Sequence, residues 1–307
     1  MTNYIFETHI LKKQYGNFHA LDGVDMHVPK GSIYGFIGEN GAGKTTLLRV
    51  CAGLTLPTGG EICLLGATEP QAIHTRRSAL GSLIERPALY PDLSAAQNLE
   101  IQRRQRGVSG RDCIGRTLEI VGLSHVGKKR AKHFSLGMRQ RLALAVALLS
   151  EPELLLLDEP VNGLDPVGIV ELREILLMLN REHGMTILIS SHYLGELHQL
   201  ATHYGILHKG RMLRELPASE LDEACRRHLH MEVDDTQKAA AVLEGVLRSP
   251  ELTVLPGGIL KLYSDWERAG ELNAALVHSG VTVRRLTPMG DDLEAYYTKV
   301  IGGEVHA

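Results

Sequence analysis

Nine residues near the start of the chain, "GENGAGKTT" from Gly38 to Thr46, constrain its fold more than any other stretch. The apolar run "SIYGFIG" leads into them and the helical pattern "TLLRVCAGL" follows, so we predict a strand, a glycine-rich loop and a helix. The spacing fits G-x-x-x-x-G-K-S/T at Gly38, Gly43, Lys44 and Thr45, the pattern of a phosphate-binding loop. The alternative is a glycine-rich turn that only caps a helix, and the strand–loop–helix context disfavours it.

The residue types in this loop suit a nucleoside triphosphate. Glycines let backbone N–H groups fold around phosphates, and the following helix directs its positive end at them. Lys44 would supply a cation for the β- and γ-phosphates, and Thr45 a hydroxyl for Mg²⁺. The predicted nucleotide-binding residues of the loop are Gly38, Glu39, Asn40, Gly41, Ala42, Gly43, Lys44, Thr45 and Thr46.

A second element, "LLLLDEP", ends an apolar run with two carboxylates. A buried strand that ends in Asp158 would place this carboxylate beside Thr45, where it can hold Mg²⁺. Glu159 follows directly and can orient or deprotonate the attacking water. Taken alone, the pair could be a helix-entry cap. Its position downstream of a phosphate-binding loop favours the chemical role.

Between these two elements lies "HFSLGMRQRLALAVALL". It resembles the signature motif of the ATP-binding-cassette (ABC) family, L-S-G-G-Q followed by K/R-Q-R; alone, "FSLG" would be only an N-capped helix. The matching residues are Ser135, Gly137, Arg139, Gln140 and Arg141, and the departing residues are Phe134, Leu136 and Met138. The resemblance implies that Ser135, Leu136, Gly137 and Met138 contact the γ-phosphate held by a second copy of the chain. It also implies ATP and Mg²⁺ as cofactors.

Three further residues match ABC landmarks in the expected order. Tyr15 is similar to the aromatic on which adenine stacks, Asp165 to the aspartate of the loop that couples two sites, and His192 to the histidine that contacts the γ-phosphate. Each of these taken singly could be structural, since an isolated Tyr or His usually packs or pairs within the fold. The resemblance covers residues 4 to 215 and implies catalytic roles for Glu159, His192 and Lys44.

Glu85 departs from most cassettes, which have a glutamine at this position. An ionised glutamate accepts but does not donate hydrogen bonds, and it adds a negative charge. The resemblance implies a metal and catalytic role for Glu85, whereas the alternative is an incidental substitution in a solvated loop. The phrases "IERPALYPDLSA-NL", "SLGM-QR" and "DDLEAYYTKVIGG" resemble the bacitracin-resistance and lantibiotic-immunity exporter subgroup.

Two domains are expected. Residues 1–215 are predicted to form the α/β P-loop cassette, with a mostly parallel sheet, antiparallel N-terminal strands and a helical subdomain at about 88–150. Residues 216–307 follow the order β-α-β-β-α-β, which predicts a small α+β, ferredoxin-like domain. Its last helix is predicted to start at Asp291 and its hairpin to turn at Pro256–Gly258.

Composition limits the class of protein. The formal charge of −3 argues against a protein that coats nucleic acid, although basic clusters at Arg103–Arg106 and Lys128–His133 leave a protein or lipid contact open. The four cysteines show no metal spacing and are predicted to be small buried residues in a reducing compartment. The sequence shows neither a signal-peptide pattern nor an apolar run long enough to span a membrane. We therefore expect a cytoplasmic location, peripheral at the inner face of the membrane.

One copy carries only half of each composite site, so we predict a homodimer in the ATP-bound state. The expected function is an ATPase subunit that energises efflux through a separate transmembrane permease, of a lantibiotic or other peptide antibiotic, without a nucleic-acid partner. One alternative is a soluble ABC-type ATPase acting on ribosomes or nucleic acid; Ser135 follows Lys44 by only 91 positions, which leaves no room for the long coiled coil of repair-type relatives. Another is a P-loop kinase, which would leave the signature motif unexplained.

Overall fold

The computed structural model describes residues 3–85, 89–290 and 293–303. The chain divides into two compact units, Met1–Ala218 and Ser219–His306. The predicted boundary after residue 215 lies inside a strand of the first unit, so the first unit continues to the end of that strand.

The first unit contains nine strands and seven α-helices within the described residues. The strands are β1 (Tyr4–Tyr15), β2 (Phe18–Pro29), β3 (Ile33–Ile37), β4 (Gly59–Leu64), β5 (Leu80–Leu83), β6 (Leu154–Asp158), β7 (Thr186–Ser191), β8 (His203–His208) and β9 (Arg211–Pro217). The helices are α1 (Lys44–Ala52), α2 (Pro70–Arg76), α3 (Ala95–Gln105), α4 (Asp112–Ile120), α5 (Leu136–Leu148), α6 (Pro166–His183) and α7 (Leu194–His198).

A six-stranded sheet forms the centre of this unit. Its strand order is β5-β6-β7-β3-β8-β9, and every neighbouring pair is parallel except β8 and β9. All residues of β3, β6 and β7 are buried, as expected for continuous apolar strands that are covered on both faces. Because parallel strands share one carboxyl edge, the ends of β3, β6 and β7 meet at the same edge of the sheet.

A second sheet of the first unit is antiparallel, with the order β2-β1-β4. We predicted antiparallel N-terminal strands but named none in the segment that forms β1. Its partial alternation is interrupted by register shifts against β2, which conceal the period of two. The core of the unit is built by both sheets and α1, with large side chains such as Phe6, Met26, Phe36 and Leu47 fully buried.

The segment between β5 and β6 is mainly helical, as its lack of strand signals predicted. Ser94 and Gln97 form a capping box at the start of α3, with the Gln97 N–H donating to Ser94 Oγ and the Ser94 N–H donating to Gln97 Oε1. Ser135 caps α5 by accepting from the Met138 N–H. The predicted start of this subdomain at residue 88 lies outside the described residues.

The second unit is a four-stranded antiparallel sheet with two helices packed on it. After α8 (Ala218–Cys225), its elements are β10 (His228–Val233), α9 (Thr236–Val246), β11 (Leu252–Leu255), β12 (Ile259–Leu262), α10 (Ala269–His278), β13 (Val283–Met289) and α11 (Leu293–Gly302). The strand order is β11-β12-β10-β13. Leu229, Met231 and Val233 alternate along β10 into an apolar core with Leu243 and Leu272. The predicted helix start at Asp291 lies outside the described residues.

The cysteines are less uniformly buried than predicted. Cys51 and Cys113 are buried, whereas Cys63 and Cys225 are partly exposed. The prediction was wrong for the latter two, because an average preference of cysteine for the interior does not fix the face of a strand or helix on which it lies. Within the described part of the chain, no helix combines the length and the apolar character needed to cross a bilayer.

Candidate functional site

A cavity of about 370 Å³ opens at the carboxyl edge of the central sheet, where the predicted phosphate-binding loop leads from β3 into α1. It joins residues that are far apart in sequence but meet at this edge. Its lining residues are Phe18, Ala20, Asn40, Gly41, Gly43, Lys44, Thr45, Thr46, Glu159, Asn162 and His192. The cavity therefore brings together six of the nine predicted loop residues with Glu159 and His192.

Two glycines in the loop are required by close approach of the backbone. A Cβ on Gly38 would lie 2.5 Å from the carbonyl oxygen of Leu207, which belongs to β8. Gly43 has a φ of 110°, and a Cβ there would lie 2.5 Å from the Ala20 carbonyl oxygen. The loop is thus pressed against β2 and β8, so neither position accommodates a side chain.

Lys44 is 6% exposed, and three oxygen atoms surround its ammonium group. Nζ donates to the carbonyls of Gly38 at 2.6 Å and Glu39 at 3.2 Å, and it lies 3.2 Å from Glu159 Oε1. The hydrogen bonds to these two carbonyl oxygens fix the Lys44 side chain against the loop that precedes it. The charge of Lys44 is therefore positioned at the floor of the cavity.

Asp158 and Thr45 form a set of oxygen ligands. Thr45 Oγ1 donates to Asp158 Oδ2 at 2.8 Å, and Ser190 Oγ donates to Asp158 Oδ1 at 2.7 Å. These hydroxyl and carboxylate oxygens are ligands that suit Mg²⁺. Among the described residues, no group of three or more His, Cys, Asp or Glu side chains could enclose a metal ion. Mg²⁺ is usually bound through one or two carboxylates together with phosphate oxygens and water, so one carboxylate and one hydroxyl fit this ion.

Glu159 lies between two nitrogen groups. In addition to its contact with Lys44, its Oε2 atom lies 2.6 Å from His192 Nδ1. The backbone N–H of Glu159 donates to Ser190 Oγ at 3.0 Å, and its φ of 47° turns the chain sharply at the end of β6. Asp158 and Glu159 therefore point to different partners, although they are neighbours in sequence.

Glu85 is not among the residues that line the cavity. Its side chain is 55% exposed and forms an ion pair with Arg49 on α1. The structure therefore does not bring Glu85 to Thr45 and Asp158, and its metal and catalytic role stays a prediction. Sequence analysis did not identify Arg49, because the pairing joins residues 36 positions apart.

The predicted signature residues lie at the start of α5 and do not line the cavity of their own chain. Ser135 and Leu136 are exposed, with Leu136 at 43%, and Gly137 and Met138 are half-buried. Asp165 accepts from the Gly168 N–H at 3.1 Å and so caps α6. For Asp165 the structure shows this capping role, and its coupling role stays a prediction.

Tyr15 lies at the end of β1, opposite Phe18 at the start of β2. Lys13 Nζ sits 4.8 Å from the centre of the Tyr15 ring. Phe18, which is 60% exposed, lines the cavity, whereas Tyr15 is absent from its lining. Sequence analysis missed Phe18, Ala20 and Asn162. An aromatic residue two positions past a turn glycine was the only available signal, and it is a weak one.

Known proteins resemble the chain over its whole length. The ABC transporter family model matches residues 21–162. The bacitracin transport ATP-binding protein BcrA of Enterococcus faecalis is 41% identical, covering 98% of this chain and 97% of the relative. The chain belongs to the ABC transporter family. It is an ATP-binding protein of that family, whose activity is ATP hydrolysis coupled to transport.

Further known proteins match a smaller part of the chain. The lantibiotic transport ATP-binding protein SrtF of Streptococcus pyogenes is 45% identical over 67% of this chain and 87% of its own length. Among solved structures, cbiO1 of Clostridium perfringens, part of the ABC transporter complex cbiONQ, has a TM-score of 0.65 and 27% identity over 72% of this chain and 91% of cbiO1. The ABC cassette MJ0796 bound to ADP and Pi, with 23% identity over 69% of this chain and 98% of MJ0796, has a TM-score of 0.62 and shows the same fold. The predicted cassette fold is confirmed.

Proposed function

We propose that the chain is the ATP-hydrolysing subunit of an exporter that removes a peptide antibiotic from a bacterium through a separate membrane permease. The observation that carries this proposal is the nearly full-length similarity to BcrA, which includes the second unit. In this function the chain lies at the inner face of the cell membrane, where cytoplasmic ATP reaches the cavity.

The extent of the matches favours a bacitracin-like cargo over a lantibiotic. The similarity to SrtF covers only 67% of the chain, whereas the similarity to BcrA covers 98%. Identity over the matched residues is comparable, 41% to BcrA and 45% to SrtF, so identity alone does not separate the two cargos. Part of this chain therefore matches BcrA and not SrtF.

Placement of the signature residues supports a working dimer. Ser135 and Leu136 are exposed at the start of α5 and contribute nothing to the cavity of their own chain. The N-terminus of α5 offers free N–H groups and a positive partial charge, which suit the phosphate of another copy. In this proposal two chains meet face to face, and each α5 completes the cavity of its partner.

Residues of the cavity divide the chemistry between them. Lys44 lies beside Glu159, and we propose that the γ-phosphate replaces Glu159 as the partner of Lys44. Glu159, still beside His192, is then free to accept a proton from the attacking water. Thr45 and Asp158 would hold Mg²⁺, which when bound neutralises charge on the phosphates.

Antibiotic tolerance in a sensitive bacterium tests the proposed cargo. The chain is expressed with its permease, and the minimal inhibitory concentrations of bacitracin, a lantibiotic and an unrelated small-molecule antibiotic are measured. We expect a several-fold rise for bacitracin with the native chain and none with Glu159→Gln. An unchanged tolerance to both peptide antibiotics, with the permease present in the membrane, would contradict the proposal.

A further inference from the structure

The ion pair between Arg49 and Glu85 joins α1, whose first residues line the cavity, to the segment that follows β5. Arg49 lies in the last turn of α1, the helix that starts with Lys44 and Thr45. Its Nη2 atom donates to Glu85 Oε1. The side chains are 38% and 55% exposed, so the pair is accessible to solvent and can open without unfolding of its surroundings.

The backbone of Glu85 lies at the same edge of the sheet as the predicted metal ligands. β5 and β6 pair in parallel up to Leu83 and Leu157, so Glu85 and Glu159 each follow the last pair by two residues. Both glutamates have positive φ angles, 64° for Glu85 and 47° for Glu159. The two strands thus turn sharply at matching positions, yet only Glu159 directs its carboxylate into the cavity.

We infer that Arg49 is a positioning residue that competes with the metal ion for the Glu85 carboxylate. The carboxylate must leave the guanidinium before it can approach Thr45 and Asp158, so Arg49 holds Glu85 outside the cavity until nucleotide and metal arrive. This inference rests on the metal role proposed for Glu85. A glutamine at position 85 has no charge to pair with Arg49. Arg49 therefore restrains the side chain at position 85 only when this residue is a glutamate.

The size of the effect follows from the exposure of the pair. An exposed ion pair stabilises the paired arrangement only weakly, and its loss changes an equilibrium constant by at most about fivefold. The apparent metal affinity falls by the fraction of chains in which Glu85 is unpaired. Removal of the guanidinium should therefore raise metal affinity by about two- to fivefold, provided that Glu85 is present.

Binding of Mn²⁺ to the full-length chain, measured by electron paramagnetic resonance with a non-hydrolysable ATP analogue, tests this without reliance on turnover. The variants are Arg49→Met, Arg49→Lys, Glu85→Gln and the double variant Arg49→Met with Glu85→Gln. Arg116→Met is the control, because Arg116 forms an exposed pair with Glu151 and does not line the cavity. Circular dichroism checks that each variant is folded.

We expect Arg49→Met to bind Mn²⁺ about two- to fivefold more tightly than the native chain. Arg49→Lys and Arg116→Met should bind Mn²⁺ with the affinity of the native chain. Glu85→Gln should bind it more weakly, and the added Arg49→Met should change nothing in that background. If Glu85→Gln weakens binding while Arg49→Met does not strengthen it, the inference about Arg49 is overturned and the role of Glu85 stands. If Glu85→Gln binds Mn²⁺ as the native chain does, the metal role of Glu85 is overturned, and the inference with it.

Discussion

At the scale of single residues, Glu159 is the side chain whose surroundings best define a chemical role. It has a cation on one side and an imidazole on the other, at 3.2 Å and 2.6 Å. A carboxylate in this position can accept a proton and still be stabilised by its neighbours. Neither Lys44 nor His192 depends on Glu159 for its backbone position, so the carboxylate can be changed without disturbing the cavity.

Glu159→Gln should bind ATP but hydrolyse it at least about 100-fold more slowly, because the amide is no base. Phosphate release and equilibrium binding of a fluorescent ATP analogue measure the two properties separately. Glu153→Gln is the control, since Glu153 precedes β6 at the opposite edge of the sheet and pairs only with Lys30 among the described residues. Near-native turnover in Glu159→Gln would show that another group accepts the proton.

Cys51 should resist labelling in the folded chain. Burial raises the pKa of its thiol to about 12, so at pH 8 only about one molecule in 10⁴ carries the reactive thiolate. Cys225 is partly exposed and should react first. Alkylation at pH 8 followed by peptide mass spectrometry gives both rates. Equal rates at Cys51 and Cys225 would mean that α1 opens readily, in conflict with its packed position.

At the scale of elements, Asn98 fixes the loop that leads into the helical segment. It is 1% exposed, and its side chain bonds the backbone N–H of Tyr90 at 2.7 Å, the Tyr90 carbonyl at 3.1 Å and the Ser94 carbonyl at 2.9 Å. A side chain without an amide would leave the Tyr90 N–H without this partner, whereas the Tyr90 and Ser94 carbonyls also accept from the backbone N–H groups of Leu93 and Asn98. The loop of residues 90–94 therefore depends on one amide on α3.

Asn98→Ala should lower the free energy of unfolding by about 1–3 kcal/mol, the usual cost of buried groups that lose their hydrogen bonds. Urea unfolding followed by circular dichroism measures the change. Gln105→Ala on the same helix is the control, because Gln105 is exposed. A loss in Asn98→Ala no larger than in this control would contradict the role given to the amide.

The sequence predicted those elements whose signals are local. The phosphate-binding loop and the apolar strand β6 each follow from a pattern within a dozen residues. β1 was missed because its alternation is broken by register shifts. Phe18, Arg49 and Ser190 could not be predicted, because each acts through a partner that only the tertiary fold brings near.

At the scale of the whole molecule, the two units have separate apolar cores. The first unit buries side chains between its two sheets and α1, and the second buries the alternate residues of β10 against α9 and α10. A unit with its own core can in principle fold alone.

A chain truncated after Ala218 should fold and bind ATP with the affinity of the full chain, since every cavity-lining residue belongs to the first unit. Isothermal calorimetry compares the two affinities. The complementary piece should also fold, and the single tryptophan, Trp266, reports on it by fluorescence. An unfolded or non-binding cassette would show that the second unit is needed for stability.

The Ser190 hydroxyl on β7 connects Asp158 and Glu159 at the end of β6. One hydroxyl donates to Asp158 and accepts from the backbone of Glu159, and His192 follows two residues later on the same stretch of chain. Any sliding of β7 past β6 would shift Ser190 and His192 relative to Asp158, the proposed metal ligand, and Glu159, the proposed base. Mutations that loosen this strand pair should therefore impair metal binding and proton transfer at the same time.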